Sequence, residues 1–232
     1  MNVAYNMDCM EYMRTLPDKA FDLAVVDPPY GIGMDGGIIG GSVLAKNESY
    51  LQKAWDSAPA PPEYFVELSR ISRNQIIWGA NHFINNLPVK NSPCWLVWDK
   101  QNGCNNFADC ELAWTSFSGA IRKFEFRWQG MLQGNMRNKE YRIHPTQKPV
   151  ALYAWIFARY AKPGDRILDT HLGSGSSRIA AYDAGLDFVG CELDADYFAA
   201  EEDRLNGAQG YTPQEVAAAM RQAIQEAKKR HG

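Results

Sequence analysis

The chain has 232 residues, 46% hydrophobic and 22% charged, which suits one α/β domain, or one with a small insertion, that buries a core and is not disordered. Its net charge of −3 argues against a wholly basic nucleic-acid coat but leaves room for a local basic face. No run approaches the ~18 apolar residues of a membrane span, and residues 1–8 lack the basic-then-apolar order of an export signal. The five cysteines, Cys9, Cys94, Cys104, Cys110 and Cys191, form no Cys-x-x-Cys pair. They read as reduced thiols of a cytoplasmic protein, and no metal site is expected.

No repeat or low-complexity block breaks the chain. The first clear element is Phe21-Asp22-Leu23-Ala24-Val25-Val26, a β-branched run stopped by Asp27-Pro28-Pro29-Tyr30, hence a buried strand with a rigid exit. Gly31, Gly33, Gly36, Gly37, Gly40 and Gly41 follow, so residues 31–60 are expected to be a mobile loop. Pro59-Ala60-Pro61-Pro62 then opens a helix over 63–72. Short β-rich pieces at 75–78, 94–98 and 111–115 are separated by Asn, Gly and Pro and read as strands.

Residues 120–148 differ in charge. Arg122, Lys123, Arg127, Arg137, Lys139, Arg142 and Lys148 stand against only Glu125 and Glu140, a net +5 that leaves −8 for the rest of the chain. Phe124, Phe126 and Trp128 interleave with the basic residues at period two. On a strand the aromatics would anchor one face while basic groups meet phosphate from the other. A solvated charged hairpin is the plain alternative.

A helix over 149–160 follows, with Leu152, Trp155, Ile156 and Tyr160 at helical spacing. Then come a strand at 166–168, a glycine turn, a helix at 177–184 and a strand at 188–191. The tail, 212–230, reads as a helix with Thr212 as N-cap, Pro213 at the first position and Glu215 completing a capping box. The β-α-β order of this half implies a parallel, doubly wound sheet.

Within the turn Asp169-Thr170-His171-Leu172-Gly173-Ser174-Gly175-Ser176-Ser177, Gly173 and Gly175 let a ligand approach the backbone closely. Glu192, nineteen residues after Gly173, closes the next strand, where an acid can bond both hydroxyls of a ribose. An adenosine-type cofactor is implied. A phosphate loop would want a lysine after the glycines, which Ser176-Ser177-Arg178 does not supply. A dinucleotide site would want a third glycine where Arg178 stands. S-adenosylmethionine, which has no phosphates, fits the shortened motif, and an unliganded strand-to-helix turn is the plain alternative.

The tetrad at 27–30 suits one difficulty in particular. An exocyclic amine conjugated with an aromatic base is a poor nucleophile until rigid acceptors draw it toward sp³ geometry. Asp27 offers a carboxylate and Pro28 a backbone carbonyl; Pro28 and Pro29 lock the backbone, and Tyr30 offers a ring for stacking.

With these residues in place, nearly the whole chain resembles the β-class amino-methyltransferases of DNA, which act on adenine N6 or cytosine N4. Tetrad, basic stretch and glycine motif occur in that family's permuted order. The resemblance implies an α/β fold, a doubly wound Rossmann-like sheet, mostly parallel with an antiparallel edge strand, in one domain over 1–232 with residues 120–143 as a short target-recognition segment. It implies a catalytic role for Asp27, Pro28, Pro29 and Tyr30. On the cofactor side it implies Asp8, Asp169 (facing the cofactor's ammonium), Gly173, Gly175, Ser176 and Glu192. Gln147 and Lys148 of His144-Pro145-Thr146-Gln147-Lys148-Pro149 join them at the methionine end. Thr170-His171 departs from the family's usual Pro-Phe. The segments 78–83 and 95–100 resemble those near the target base, with core packing the alternative for their tryptophans.

The expected activity is methyl transfer from S-adenosylmethionine to N6 of an adenine flipped out of double-stranded DNA, since an Asp-first tetrad is commoner with adenine. Cytosine N4 is the alternative target, and a catalytically idle nucleic-acid-binding module the alternative class. Methylation of RNA or a protein amide is disfavoured by the motif order. Arg122, Lys123, Arg127, Arg137, Lys139 and Arg142 are the expected DNA face. The short interval between motifs leaves room for a homodimer, and for a cognate restriction endonuclease, as partners.

Overall fold

The computed structural model describes residues 1–39, 48–50, 53–103, 107–129 and 132–207. In chain order the elements are β1 (Asn2–Asn6), α1 (Cys9–Arg14), β2 (Phe21–Val26), β3 (Gly37–Ile39), β4 (Glu48–Tyr50), α2 (Pro62–Ile71), β5 (Ser72–Trp78) and the short α3 (Ala80–Phe83). Then follow β6 (Leu96–Asp99), β7 (Cys110–Thr115), β8 (Arg122–Glu125), β9 (Trp128–Gln129), β10 (Leu132–Gln133), α4 (Val150–Tyr160), β11 (Arg166–Asp169), α5 (Ser176–Asp183), β12 (Asp187–Glu192) and α6 (Ala195–Leu205). The expected tail helix at 212–230 lies outside the described residues.

Eight strands form one sheet in the order β1-β12-β11-β2-β5-β7-β6-β8. From β1 to β5 every pairing is parallel. The reversed strand is β7, antiparallel to both β5 and β6, with β8 beyond, parallel to β6. The fold is the mixed, mostly parallel α/β sheet expected, with its antiparallel pairing toward the β8 side.

Both faces of the sheet are covered, which is why Leu23 to Val26 read as a continuous apolar run rather than an alternation. Leu23 and Val25 pack with Ile76, Trp78, Ile167 and Phe188 under α4 and α5. Ala24 and Val26 pack with Ile77, Leu168 and Val189 under α1 and α2. In α2 the residues Tyr64, Phe65, Leu68 and Ile71 make one buried stripe, each side chain contributing roughly 1.5–3 kcal/mol of burial. Pro62 suits its first turn because no amide hydrogen is needed there, and extended Ser72 ends it directly into β5.

Two elements precede the first one expected. β1 joins the sheet edge through Asn2↔Phe188 to Asn6↔Glu192. α1 is capped by Asp8, whose carboxylate accepts from the Glu11 amide at 3.0 Å. Part of the stretch expected to be loop pairs as the antiparallel hairpin β3–β4. Glycine content signalled turns there but could not reveal strand pairing.

Candidate active site

The chain winds outward in both directions from the neighbouring strands β11 and β2, paired through Ile167↔Leu23 and Leu168↔Ala24. A crevice opens at the carboxyl ends of strands at such a switch point. Asp27 leaves β2 there, the glycine turn leaves β11, Glu192 ends β12 and Gly79 follows β5. Because β7 runs the other way, its first residues, Cys110 and Glu111, arrive at the same edge, beside Trp98 and Asp99 of β6.

A cavity of about 490 Å³ fills one side of this crevice, lined by Asp8, Asp27, Gly173, Ser176, Glu192, Gln147 and Lys148 among others. Glu192 accepts from the Gly173 amide at 2.8 Å and the Asp194 amide at 2.9 Å, so glycine turn and acid form one unit. Gly173 has φ of +51°, with the His144 ring 3.5 Å from where a Cβ would stand. Gly175 is absent from the lining. With φ of +69°, its missing Cβ would meet the Glu201 carboxylate of α6 at 2.7 Å, so this glycine serves helix packing.

Asp169 does not reach the cavity either. It is 1% exposed and accepts from the Ser177 hydroxyl at 2.5 Å and the His171 amide at 3.1 Å. Burial pushes its carboxyl up to about 7 against the pull of those two bonds. The structure thus ties Asp169 to the start of α5.

Four cavity-lining groups that sequence reasoning missed come from three segments: Lys53 and Trp55 from one, Tyr153 from α4 and Tyr197 from α6. His144, quoted only as part of its motif, lines the cavity too. It packs between Trp55, at 5.2 Å between ring centres, and Tyr197, at 4.3 Å. Burial, aided by Lys148, lowers it to about 3. His171 lines the cavity and is lowered to about 4 by burial. Lys53 bonds both Asp194 oxygens at 2.6 Å and Asp196 at 2.8 Å.

On the other side sits the tetrad. Tyr30 donates its hydroxyl to Asp27 at 2.5 Å, and the Lys148 ammonium donates to the second Asp27 oxygen at 2.5 Å and to the Tyr30 hydroxyl at 3.1 Å. Lys148 therefore lies on the tetrad, not free for a cofactor carboxylate. Gln147 is similarly engaged: its amide accepts from the Ile143 amide and donates to the Tyr141 carbonyl and the Glu140 carboxylate. Burial raises the Asp27 carboxyl, opposed by Lys148. The Tyr30 backbone is fixed by Asp56, whose carboxylate accepts from the amides of Tyr30, Gly31 and Met34, each at 2.8 Å, and of Ile32 at 3.3 Å. The Tyr30 ring lies on Gly79, where a Cβ would be 2.0 Å from the ring edge, and stacks on His82 at 5.1 Å and 15°. Of the two segments expected near the target base, 78–83 touches Tyr30 through Gly79 and His82, whereas 95–100 approaches through Lys100, which bonds Glu111.

Arg122, Arg127, Arg137 and Lys139 of the basic stretch are exposed. Lys123 pairs with Glu125 at 2.6 Å and Asp99 at 3.5 Å, and Arg142 lies over the Trp128 ring at 4.5 Å. Phe124 and Trp128 are buried, while Lys123 and Arg127 face out. The alternation therefore holds at Lys123–Phe124 and at Arg127–Trp128, while Glu125 and Phe126 are both half-buried where β8 ends. Arg122 shares the parity of the aromatics yet is exposed, because it opens the edge strand β8. Among the described residues no helix is long and apolar enough to cross a membrane.

Residues 90–203 match the family described as DNA methylase, acting at N6 or N4. The chain is 25% identical over 248 residues to the Type II methyltransferase M.HinfI of Haemophilus influenzae, covering 88% of this chain and 68% of that one. Among solved structures, the M1.HpyAVI–SAM complex superposes with a TM-score of 0.53 at 20% identity, over 88% of this chain and 99% of the other. The cytosine-N4-specific PvuII DNA methyltransferase superposes at 0.55 and 11%, over 96% and 92%. The cavity fits S-adenosylmethionine: it offers the carboxylates of Asp8 and Glu192 as acceptors for ribose hydroxyls and an amine, and the rings of Trp55, His144 and Tyr197 for a flat base. Switch-point crevice, tetrad, glycine turn and sequence matches agree, and together they make the chain similar to the N6/N4 DNA amino-methyltransferases.

Proposed function

We propose that this methyltransferase modifies N6 of adenine in double-stranded DNA, with S-adenosylmethionine as methyl donor. The observation that carries the reading is Asp27 and Tyr30, joined by a 2.5 Å hydrogen bond, beside a cavity ending in the Gly173–Glu192 unit. Adenine is preferred because the tetrad begins with Asp. A base inside a duplex cannot reach this crevice and must be flipped out.

Asp27 accepts one N–H of the target amine and the Pro28 carbonyl the other, which holds the nitrogen lone pair toward the cavity. To do so, Asp27 exchanges its bond from Tyr30 for one from the amine, and the Tyr30 ring, backed by Gly79 and His82, takes the face of the base. The proton the amine sheds on methylation has the Asp27 carboxylate as its nearest acceptor. Asp8, Gly173, Ser176 and Glu192 hold the cofactor, with Asp169 and Gly175 shaping the turn from behind. The cofactor supplies a methyl group made electrophilic by its sulfonium. The exposed Arg122, Arg127, Arg137 and Lys139, with Lys123 and Arg142, meet the phosphates, and residues 120–143 act as the target-recognition segment of a single domain.

The test is single-molecule sequencing of DNA from cells expressing the protein, beside cells expressing Asp27→Ala. N6-methyladenine at a recurring site, absent with Asp27→Ala, is the expected result. N4-methylcytosine would overturn the adenine assignment, and unmodified DNA would overturn the activity.

A further inference from the structure

Behind the tetrad lies a chain of alternating charges that the methyl-transfer reading does not use. The Lys148 ammonium, 2% exposed, contacts Asp27 at 2.5 Å and Glu111 at 3.0 Å. Glu111 in turn bonds Lys100 at 2.6 Å. Four segments converge to make it: the exits of β2 and β6, the start of β7 and the residues before α4. The Lys148 ammonium also lies 5.5 Å from the centre of the Tyr30 ring and 5.7 Å from that of Trp78, so its third side is closed by aromatic faces.

We propose that Lys148 and Glu111 are positioning residues: Lys148 clamps one Asp27 oxygen so that the other is presented to the target amine as a carboxylate, and Glu111 fixes Lys148 in that place. This rests on the methyl-transfer reading and deepens it. Asp27 without Lys148 would be a largely buried carboxylate facing Glu111, Asp169, Tyr30 and Tyr153, with no other ion-pair partner among the described residues. It would take up a proton, and a protonated carboxyl cannot accept from the amine through that oxygen or receive its proton. Lys148 cannot do the reverse and lose its own proton, because both carboxylates beside it favour the ammonium against its burial. Glu111 stays ionised too: Lys148 and Lys100 hold it at about 2 against its burial. The arrangement has a direction. Lys148 favours the Asp27 anion, whereas Glu111 opposes it by repulsion while holding the lysine in place.

Opposite charge effects give the test. The Asp27 carboxyl is titrated in the free protein by ¹³C NMR of labelled aspartate, in the parent, Lys148→Met and Glu111→Gln. kcat is followed from pH 5 to 9 with DNA and cofactor saturating. Lys148→Met is expected to raise the Asp27 midpoint by one pH unit or more. The acid limb of kcat should move with it, so a tenfold or larger loss at pH 7 narrows as pH rises. Lys148→Arg should recover most of the rate. Glu111→Gln is expected to lower the midpoint, since the repelling charge is gone while the amide oxygen of the neutral side chain still accepts from Lys148 and keeps it in place. A structural defect would depress kcat at every pH in both variants without opposite shifts. Unchanged midpoints, or a rise in both, overturn the proposal. If Lys148→Met does not fold, the Glu111→Gln titration decides alone: a fall supports the clamp and a rise or no change refutes it. A parent that titrates as described yet transfers no methyl to DNA refutes the activity and leaves the clamp standing.

Discussion

Asp27 and Gly79 serve the same pocket by opposite means, one through a charge and the other through the absence of a side chain. On the proposed reading Asp27→Ala removes the acceptor for the target amine and is expected to cut methyl transfer by ~10²–10⁴-fold, with calorimetry showing cofactor affinity near the parent's. Gly79→Ala tests the floor of the pocket. Its φ of +69° is strained for alanine, and the new methyl would overlap the Tyr30 ring. A loss of about 1–3 kcal/mol in denaturant unfolding is expected, together with weaker methyl transfer as the ring is displaced. Glu192→Ala should weaken cofactor binding by roughly 1.5–3 kcal/mol. It also frees the Gly173 and Asp194 amides that the carboxylate now accepts from. At this scale the sequence marked Asp27, Tyr30, Gly173 and Glu192, which the structure gathers at one crevice, because short motifs and the spacing between them have chemistry that follows from residue type. It did not disclose Glu111 or Asp56, since nothing within their own segments marks them, and it singled out the segment of His82 without giving that ring a partner. Their roles arise from neighbours far away in the chain.

The segment at 53–56 illustrates the same limit for an element. Glycine content made residues 31–60 read as loop alone, yet Asp56 collects four amides of the segment after Pro29. Lys53 ties the segment to Asp194 and Asp196 at the cap of α6. Between them Trp55 closes on His144 over the cavity. This short strap thus touches the tetrad with one end and the cofactor cavity with the other. Lys53→Ala removes a partly exposed ion pair of about 1 kcal/mol or less, and cofactor dissociation in stopped flow should quicken up to about fivefold. The difference from the parent should shrink as salt is raised, because screening weakens the pair that the mutation deletes. A parent rate insensitive to salt would show that Lys53 does not gate the cavity.

Charge and protonation act over the whole molecule. Lys123 already has two carboxylate partners, so the exposed Arg127 and Arg137 are the better probes of the DNA face. Replacing both with Ala should weaken DNA binding and flatten the log-affinity versus log-salt slope by ~0.9 for each phosphate that is no longer neutralised, with cofactor affinity unmoved. Stability should respond to acid through the buried histidines. His144 is lowered from 6.5 to about 3, so the unfolded chain takes up a proton that the folded one refuses. The stabilisation is complete above 6.5 and is lost as pH falls toward 3. His144→Gln should make the fall in unfolding free energy shallower by about 1.4 kcal/mol per pH unit below 6.5. Asp169 has the opposite sign. Its folded value of about 7 exceeds the ordinary 3.8, so its contribution is lost as pH rises through 7. Asp169→Asn should therefore steepen the acid loss between 7 and 4.

By itself the sequence placed β2, α2, β5, β6, β7, α4, β11, α5 and β12, the parallel winding of the C-terminal half and the two motifs. Apolar runs, proline stops and glycine turns are local signals with local causes. It could not show β1, whose one sheet partner among the described residues is β12, far along the chain, nor α1, six residues long under its Asp8 cap. It assigned Lys148 to the cofactor because the motif around it resembles a cofactor segment. Only the tertiary structure decided that the lysine turns to Asp27, that Asp169 lies behind the glycine turn, and that Gly175 faces α6. The physical reason is the same in each case. A buried charge or a missing side chain takes its meaning from whatever the fold packs against it, and here those partners lie 121, 8 and 26 residues away in the chain.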